Sequence, residues 1–374
     1  MRLIICGPVF NEDVERKLVD ASPAAGKFLN NMIDAIENNS VEVIKAVYLT
    51  YPVIDKQYES IANQYQGNDF ITFKSKMIIK SVLDYQKRVL SLVKPGTGVI
   101  FYNISYPYFS LCKKIEKLGG KCLLLLADHT NSNDETKISK KIIARLSEKE
   151  FKNFRRVVSL SDVPNVKFHN GIKKLVVHGG IKNSDYTKFD PPEKKSNIIV
   201  TYAGLLSNVT GVDNFLKAIA ICQLKNVEFH ISGKGDLEEA IEKASLQDNR
   251  IKYLGFMTQD KYLLELKKAN IMINPRNMDL EQNSNNFPSK VLEYLATGRL
   301  IISTRFSGYK DFEKNIIFYD GSPETLASCI DSTVSDYNNL ASKHYDENRK
   351  LALEYDWNNQ VKKIIQLFDS KFEF

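Results

Sequence analysis

Residues 285–304, NNFPSKVLEYLATGRLIIST, read as a loop, a helix and a strand in succession. Pro288 suits a helix opening, where its missing N–H would lack a partner anyway. Val291, Leu292, Leu295 and Ala296 recur at i, i+1, i+4 and i+5, which makes one apolar helical face. Gly298 falls where a helix commonly ends in a left-handed turn. Leu300, Ile301 and Ile302 form the short apolar run of a buried parallel strand. Ser289, Lys290 and Glu293 fall in the first turns, where unpaired N–H groups attract anions. Lys290 adds a full positive charge, and Glu293, one turn further in, can accept hydroxyl hydrogen bonds. Such a pair suits a diphosphate beside a ribose diol. It equally suits a capped surface helix with an i, i+3 Lys–Glu pair worth about 0.2–0.5 kcal/mol, and these twenty residues leave both readings open.

Working outward, the same strand–helix rhythm fills both halves of the chain. Strands are expected over 2–9, 41–49, 98–102, 122–127, 157–160 and 175–177, and helices over 74–93 and 106–118. Residues 20–37 place Gly26, followed by Lys27, in a turn ahead of a helical pattern carried by Phe28, Leu29, Met32, Ile33 and Ile36. A polar stretch, 182–196, contains Pro191-Pro192 and reads as a linker. Beyond it, strands are expected over 198–203, 227–232, 251–254 and 271–273, and helices over 212–221, 261–268 and 323–347. This βαβα alternation predicts an α/β protein with parallel sheets covered by helices on both faces. Ligands of such sheets lie outside the strands' carboxyl ends, so the polar exits are candidate site residues. They are Asp128-His129-Thr130, Gly204, Gly233-Lys234-Gly235, Phe256-Met257 and Asn274-Pro275-Arg276. A lone GxG is a weak phosphate signal, and an isolated Asp-His pair more often caps a turn.

At 374 residues two domains are expected. Hydrophobic content of 43% and charged content of 26% describe an ordinary globular chain, and no apolar run is long enough to span a bilayer. The apolar part of MRLIICGPVF is too short for a signal peptide, so a cytoplasmic protein is expected. The five cysteines are scattered and lack metal-ligand spacing. The five histidines show no clustered motif, so no protein-built metal site is expected. Net charge is +7, which favours an anionic partner without choosing among nucleotide, membrane and nucleic acid. Residues 137–156 carry eight Lys or Arg interleaved with Ile138, Ile142, Ala144, Leu146 and Phe154. This reads either as a helix lying on an anionic membrane or as a solvated face, while the pattern for nucleic acid is missing.

The FPSK–EYLA–G pattern of residues 287–298 resembles the donor-binding signature of retaining GT-B glycosyltransferases of family 4. The resemblance runs end to end and is strongest over about 198–304. It implies two Rossmann-like domains facing a cleft, with the last helix, around Trp357, Val361, Ile364 and Phe368, crossing back to the first domain. The domains are placed at 1–183 with 358–374 (acceptor side) and at 198–357 (donor side), joined by a linker at 184–197. The family's paired glutamates fall here on Asn285 and Glu293, so the first position departs from the pattern. Its usual diphosphate ligands, an Arg after the glycine at Gly204 and a Lys before Gly211, are replaced by Leu205 and Thr210. Arg276 and Lys290 are the expected substitutes. The resemblance also implies that His129 and Asp128 face the sugar at the catalytic centre with Lys290 and Glu293. Gly204, Gly233, Phe256, Met257, Phe287 and Ser289 would complete the donor site, and Gly26 and Lys27 would lie on the acceptor side.

The expected function is therefore metal-independent transfer of a hexosyl group from a nucleotide diphospho-sugar, UDP being the commonest donor base. The acceptor would be a glycan or lipid-linked glycan of a surface polysaccharide such as capsule, handled at the inner face of the cell membrane. A non-catalytic GT-B subunit supporting another transferase is the alternative, and a nucleotide-sugar 2-epimerase ranks behind it.

Overall fold

A computed structural model describes every residue except 20–22, 128–137, 162–167, 169, 192–196, 281–282, 284–286, 307–310 and 370–374. The chain divides into two compact units, Met1–Gly180 with Trp357–Phe374, and Ile181–Asp356.

Among the described residues the first unit holds seven parallel strands: β1 (Arg2–Cys6), β2 (Glu42–Leu49), β3 (Phe70–Phe73), β4 (Gly98–Tyr102), β5 (Lys121–Leu126), β6 (Arg156–Ser159) and β7 (Lys173–Val176). Their order is β3-β2-β1-β4-β5-β6-β7. Helices α1 (Glu12–Glu15), α2 (Pro23–Asn38), α3 (Tyr58–Ala62), α4 (Ile78–Leu92), α5 (Leu111–Lys117) and α6 (Ile138–Phe151) connect them. Alternate strand residues feed two cores, because successive side chains point to opposite faces. Leu3, Ile5, Leu123 and Leu125 meet Leu29, Met32 and Ile36 of α2. Ile4, Cys6, Cys122 and Leu124 meet Tyr85 of α4, Leu111 of α5 and Phe151 of α6. Burial pushes the Cys6 thiol up to about 12, in keeping with a cysteine that acts as a small hydrophobe.

The C-terminal helix, Trp357–Gln366, packs on α2 within this unit. Trp357 meets the Phe28 ring edge-on at 4.9 Å, and a Cβ on Gly180 would stand 2.5 Å from the indole. Lys121 Nζ donates to the Phe368 carbonyl at 2.6 Å and Arg156 Nε to that of Leu367 at 2.8 Å. Arg156 thus belongs to β6, and the basic segment expected over 137–156 is helical only over Ile138–Phe151. Residues 106–118 split into a 3-10 turn, Tyr106–Tyr108, and α5. Gly26 also departs from expectation. It lies inside α2, where a Cβ would meet the Glu15 carboxylate and the Phe10 carbonyl.

The second unit holds six parallel strands among the described residues, in the order β10-β9-β8-β11-β12-β13. They are β8 (Ile198–Leu205), β9 (Val227–Lys234), β10 (Ile251–Tyr253), β11 (Ile271–Asn274), β12 (Leu300–Thr304) and β13 (Ile317–Tyr319). The helices are α7 (Val212–Ile221), α8 (Glu238–Gln247), α9 (Gln259–Lys268), α10 (Lys290–Thr297), α11 (Pro323–Ser335) and α12 (Tyr337–Glu354), and the C-terminal helix is α13. Strand order reverses at β8, which pairs with β9 on one side and β11 on the other. Helix α10 follows the sequence reading closely. Val291, Leu292, Leu295 and Ala296 are buried, and Gly298 caps the helix at φ +72° against the Tyr345 ring. Residues 184–189, read as the start of a linker, fold into this unit, with Tyr186 and Phe189 in the core beneath α10.

Trp357→Ala should cost about 3–5 kcal/mol, the range for removing a buried aromatic side chain. Urea unfolding of the full chain measures it, and a loss below 1 kcal/mol would mean that the packing of α13 on α2 contributes little.

Candidate functional site

Open parallel sheets bind ligands at the carboxyl edge where strand order reverses, and in the second unit that point lies between β8 and β11. The edge is built from backbone in close approach. Gly233 has φ +144°, and a Cβ there would stand 1.7 Å from the Gly204 carbonyl oxygen. Gly211 has φ +73°, and its Cβ would stand 1.7 Å from the Pro275 carbonyl oxygen. No other residue fits such positions. Gly233, read as a donor-binding residue, therefore has a packing reason to be glycine, and a Cβ on Gly204 would stand 2.7 Å from the Tyr202 hydroxyl. The Gly235 N–H is taken by Glu238 Oε1 at 2.9 Å, so the chain's own carboxylate fills the place offered by the GxG turn.

Three cations rise from this edge. Lys290 opens α10 and donates to the Ala203 carbonyl of β8, with its ammonium 5.5 Å from the centre of the Tyr262 ring. Arg276 follows β11 and donates to Asn283 Oδ1 at 3.2 Å. Asn283 is itself fixed by bonds from its amide to the Val209 and Asn277 carbonyls at 2.8 and 2.7 Å. Lys234 ends β9 in register with Leu205 of β8, exposed, with its ammonium 4.8 Å from the Phe256 ring. Thr210 turns inward and donates to the Leu205 carbonyl at 2.6 Å.

Glu293 accepts a hydrogen bond from the Tyr262 hydroxyl at 2.7 Å. Burial, then the charge of Glu293, pushes the Tyr262 phenol well above its ordinary value, so it stays a donor. Tyr262 thus touches both Lys290 and Glu293 from α9. Sequence reasoning missed it, since a tyrosine in a polar helix carries no motif. Lys234 was quoted only as the middle of GxG. Phe287 is buried, its ring centre 5.8 Å from that of Phe312. Ser289 is exposed at the N-cap and makes no capping bond. Phe256 is 65% exposed and Met257 half-buried. Asp128, His129 and Asn285 lie outside the described residues.

Helix α9 is clamped to β9 by a buried charge network. His230 bonds Glu265 through Nδ1 and Glu228 through Nε2, and Lys268 reaches the other oxygen of Glu265 at 3.1 Å. Burial opposes charge on His230, but the bonds from Glu265 and Glu228 outweigh it and raise its pKa. The His230 bonds hold both carboxylates below their ordinary values.

In the first unit Gly26 and Lys27 sit on α2, Lys27 exposed. Beside Gly26 lies Glu15, whose Oε1 has no hydrogen-bond partner among the described residues. Burial, then the charge of Glu12, pushes its carboxyl up to about 7. Nothing in the sequence marked it. Among the described residues no group of three or more His, Cys, Asp or Glu could hold a metal ion.

Both units have the fold of GT-B glycosyltransferase structures. Sucrose-phosphate synthase from Thermosynechococcus elongatus superposes with a TM-score of 0.70 over 98% of each chain at 12% identity. The Anabaena protein HepE, in complex with UDP and glucose, gives 0.67 over 98% of this chain and 99% of its own, at 13% identity. Residues 197–336, within the second unit, match the family described as glycosyl transferases group 1. An uncharacterized glycosyltransferase of Methanocaldococcus jannaschii is 21% identical over 183 residues, which are 47% of this chain and less than half, 45%, of that relative.

The charge network sets a pH window. Glu265 and Glu228, with depressed pKa values, stabilise above the ordinary carboxylate value of 4.5, and the gain is lost as pH falls through their folded values. His230, with a raised pKa, stabilises below its ordinary 6.5, and the gain is lost as pH rises through its folded value. The Tm difference between wild type and Glu265→Gln should therefore peak between these values and shrink on both sides. A difference that is flat with pH would deny the network that role.

Proposed function

We propose that this chain is a retaining glycosyltransferase that moves a hexosyl group from a nucleotide diphospho-sugar to a glycan or lipid-linked acceptor, in assembly of a surface polysaccharide. The observation that carries this reading is the pairing of Lys290 and Arg276 at the β8–β11 switch point with a carboxylate, Glu293, one helical turn along α10. The cations and the α10 N-terminus would take up the charge of the leaving diphosphate, an electrostatic role. Lys234, in register with the uncharged Leu205, adds a third cation on the same edge. Glu293 would accept hydrogen bonds from the ribose hydroxyls. The departing diphosphate itself would take the acceptor's proton, so transfer by the front face needs no protein nucleophile and no metal. A UDP-sugar is the expected donor, and HepE, found with UDP and glucose, supports that choice.

A non-catalytic subunit is the second reading. It is favoured by one observation: the loop positions 205 and 210 offer no charge, since Thr210 is tied to its own loop and Leu205 is 59% exposed. Nucleotide binding separates the two.

Thermal shift against UDP, GDP, ADP and CMP should single out one nucleotide. About 100-fold excess over Kd stabilises by roughly 2.7 kcal/mol. Lys290→Ala should weaken that nucleotide by about 10- to 100-fold, the value of a hydrogen bond to a charged group. Affinity unchanged in a folded Lys290→Ala protein for every nucleotide would sink the enzyme reading. Tyr262→Phe keeps the ring under Lys290 and removes only the bond that orients Glu293, so a smaller loss of about fivefold, roughly 1 kcal/mol, is expected, because Lys290 itself remains.

A further inference from the structure

We propose that the first unit holds a saccharide subsite at the carboxyl ends of β2 and β3, which seats a remote pyranose ring of the acceptor glycan. The transferase reading supplies the occupant. The cleft itself rests on the fold. Nothing in the sequence marks it, because its residues are spread over positions 49–74 and form no motif.

The cleft encloses about 130 Å³. Leu49, the last residue of β2, lines it and is buried. Tyr58, at the start of α3, and Phe73, the last residue of β3, stand with ring centres 5.1 Å apart and planes at 87°, so they make two walls of a corner. Tyr51 lines it from the loop between β2 and α3. Tyr58 is 42% exposed, a ring with little part in the core. The polar groups of the lining are free to bind. The hydroxyls of Thr50, Tyr51 and Tyr58 and the ammonium of Lys74 have no hydrogen-bond or ion-pair partner among the described residues.

The walls are fixed in advance. The Val19 N–H donates to the Pro52 carbonyl at 3.0 Å and the Ile54 N–H to the Lys17 carbonyl at 2.8 Å. Lys17 Nζ donates to Ser60 Oγ at 2.7 Å. The Lys74 N–H donates to the Leu49 carbonyl at 3.0 Å and ties the two strand ends together. Between Pro52 and Tyr58, Asp55 and Lys56 both hold left-handed backbone, at φ +51° and +53°. Such strain persists only where the surroundings over-determine it, and it clusters at ligand sites.

Chemistry selects the occupant. A pyranose presents a face of C–H groups, which the negative face of an aromatic ring attracts, and a rim of hydroxyls that donate and accept. Bare aromatic rings beside free hydroxyls and one ammonium answer both. A phosphorylated ligand fits less well, since Lys74 is the single charged residue of the lining and Asp55 and Glu59 lie beside it in the chain. A wholly apolar partner would cover the polar groups without pairing them, which is costly.

Position adds a length requirement. Strand order in this sheet reverses between β1 and β4, and the β2–β3 pair lies two strand spacings away, about 10 Å at roughly 4.8 Å per spacing. The Phe10 ring, after β1, meets the Tyr51 ring edge-on at 6.3 Å, so aromatic surface runs from the β1 end to the cleft. A glycan with one ring in the cleft and its reacting hydroxyl at the switch point is therefore longer than a monosaccharide.

Saturation-transfer NMR on the full chain, with maltotriose, cellotriose, chitotriose and trigalacturonate as probes and no nucleotide sugar present, tests this. The probes share C–H faces and differ in linkage and substituents. At least one should receive saturation on its ring C–H protons, at millimolar affinity. Tyr58→Ala should weaken that probe about tenfold, the scale of a lost aromatic anchor, and Tyr58→Phe, which keeps the ring, should weaken it less. Ile221→Ala, at a 41% exposed residue of the second unit, should change nothing. Thr50→Trp fills the cleft from an exposed position and should abolish binding, a second route if Tyr58→Ala does not fold. No transfer to any probe, unchanged binding by the folded cleft variants, or Tyr58-dependent binding of UMP in place of the saccharides would each overturn the proposal. Nucleotide binding is read separately through Lys290, so failure here and failure of the transferase reading are distinct results.

Discussion

Backbone pressed against backbone at the carboxyl edge of the second sheet is the constraint on which the site depends. Gly233 lies on the Gly204 carbonyl, Gly235 on that of Leu206, and Gly211 on that of Pro275. Any Cβ at these points would collide with main chain, which cannot move aside as a flexible side chain could. The consequence is a rim clear of bulk where β8, β9 and β11 end. Among the described residues three cations reach it from its margins: Lys290 from α10, Arg276 after β11, and Lys234 at the end of β9.

The compact edge also explains what became of the two uncharged loop positions. The Thr210 hydroxyl bonds the Leu205 and Ser207 carbonyls. This closes the 3-10 turn Asn208–Thr210 and hands on to Gly211 in its left-handed conformation. Asn283 then ties Val209 and Asn277 together and orients Arg276. The uncharged loop and the fixed charge of Arg276 are thus parts of one hydrogen-bonded assembly.

Most of the sheet was legible because parallel strands buried on both faces write continuous apolar runs, as in Cys122–Leu125, and β1, β5, β8 and β12 carry that signature. Helix α10 was legible to within two residues, opening at Lys290 rather than at Pro288 and capped at Gly298 as expected, because chemistry marks both ends. Strands β3 and β13 were not read, being short edge strands of four and three residues whose exposed flanks dilute the pattern. Gly26 misled because glycine signals a turn, whereas here it clears room inside a helix for Glu15 and the Phe10 carbonyl. Tyr262 and the His230 network were invisible for one shared reason. Each acquires its character from a residue distant in sequence, 31 positions away for Tyr262 and Glu293, and 35 for His230 and Glu265, whereas the character of Glu15 comes first from its burial.

Tyr262 shows how such a long-range contact bears on chemistry. A lysine ammonium has three donors and a carboxylate about four acceptor sites. One donor of Lys290 goes to the Ala203 carbonyl while the ring of Tyr262 faces its charge, and one oxygen of Glu293 receives the Tyr262 hydroxyl. The two side chains are therefore already ordered on α10 before any ligand arrives. A flexible side chain left loose would lose about 0.5–1.5 kcal/mol on being immobilised, and here the fold has met that cost for both. The clamp of His230 and Glu265 extends the same logic one layer deeper, because it fixes α9, and α9 is what brings Tyr262 to the site. Charge placed by backbone, held by an aromatic ring and seated on an ion network centred on the buried His230–Glu265 pair is pre-organised.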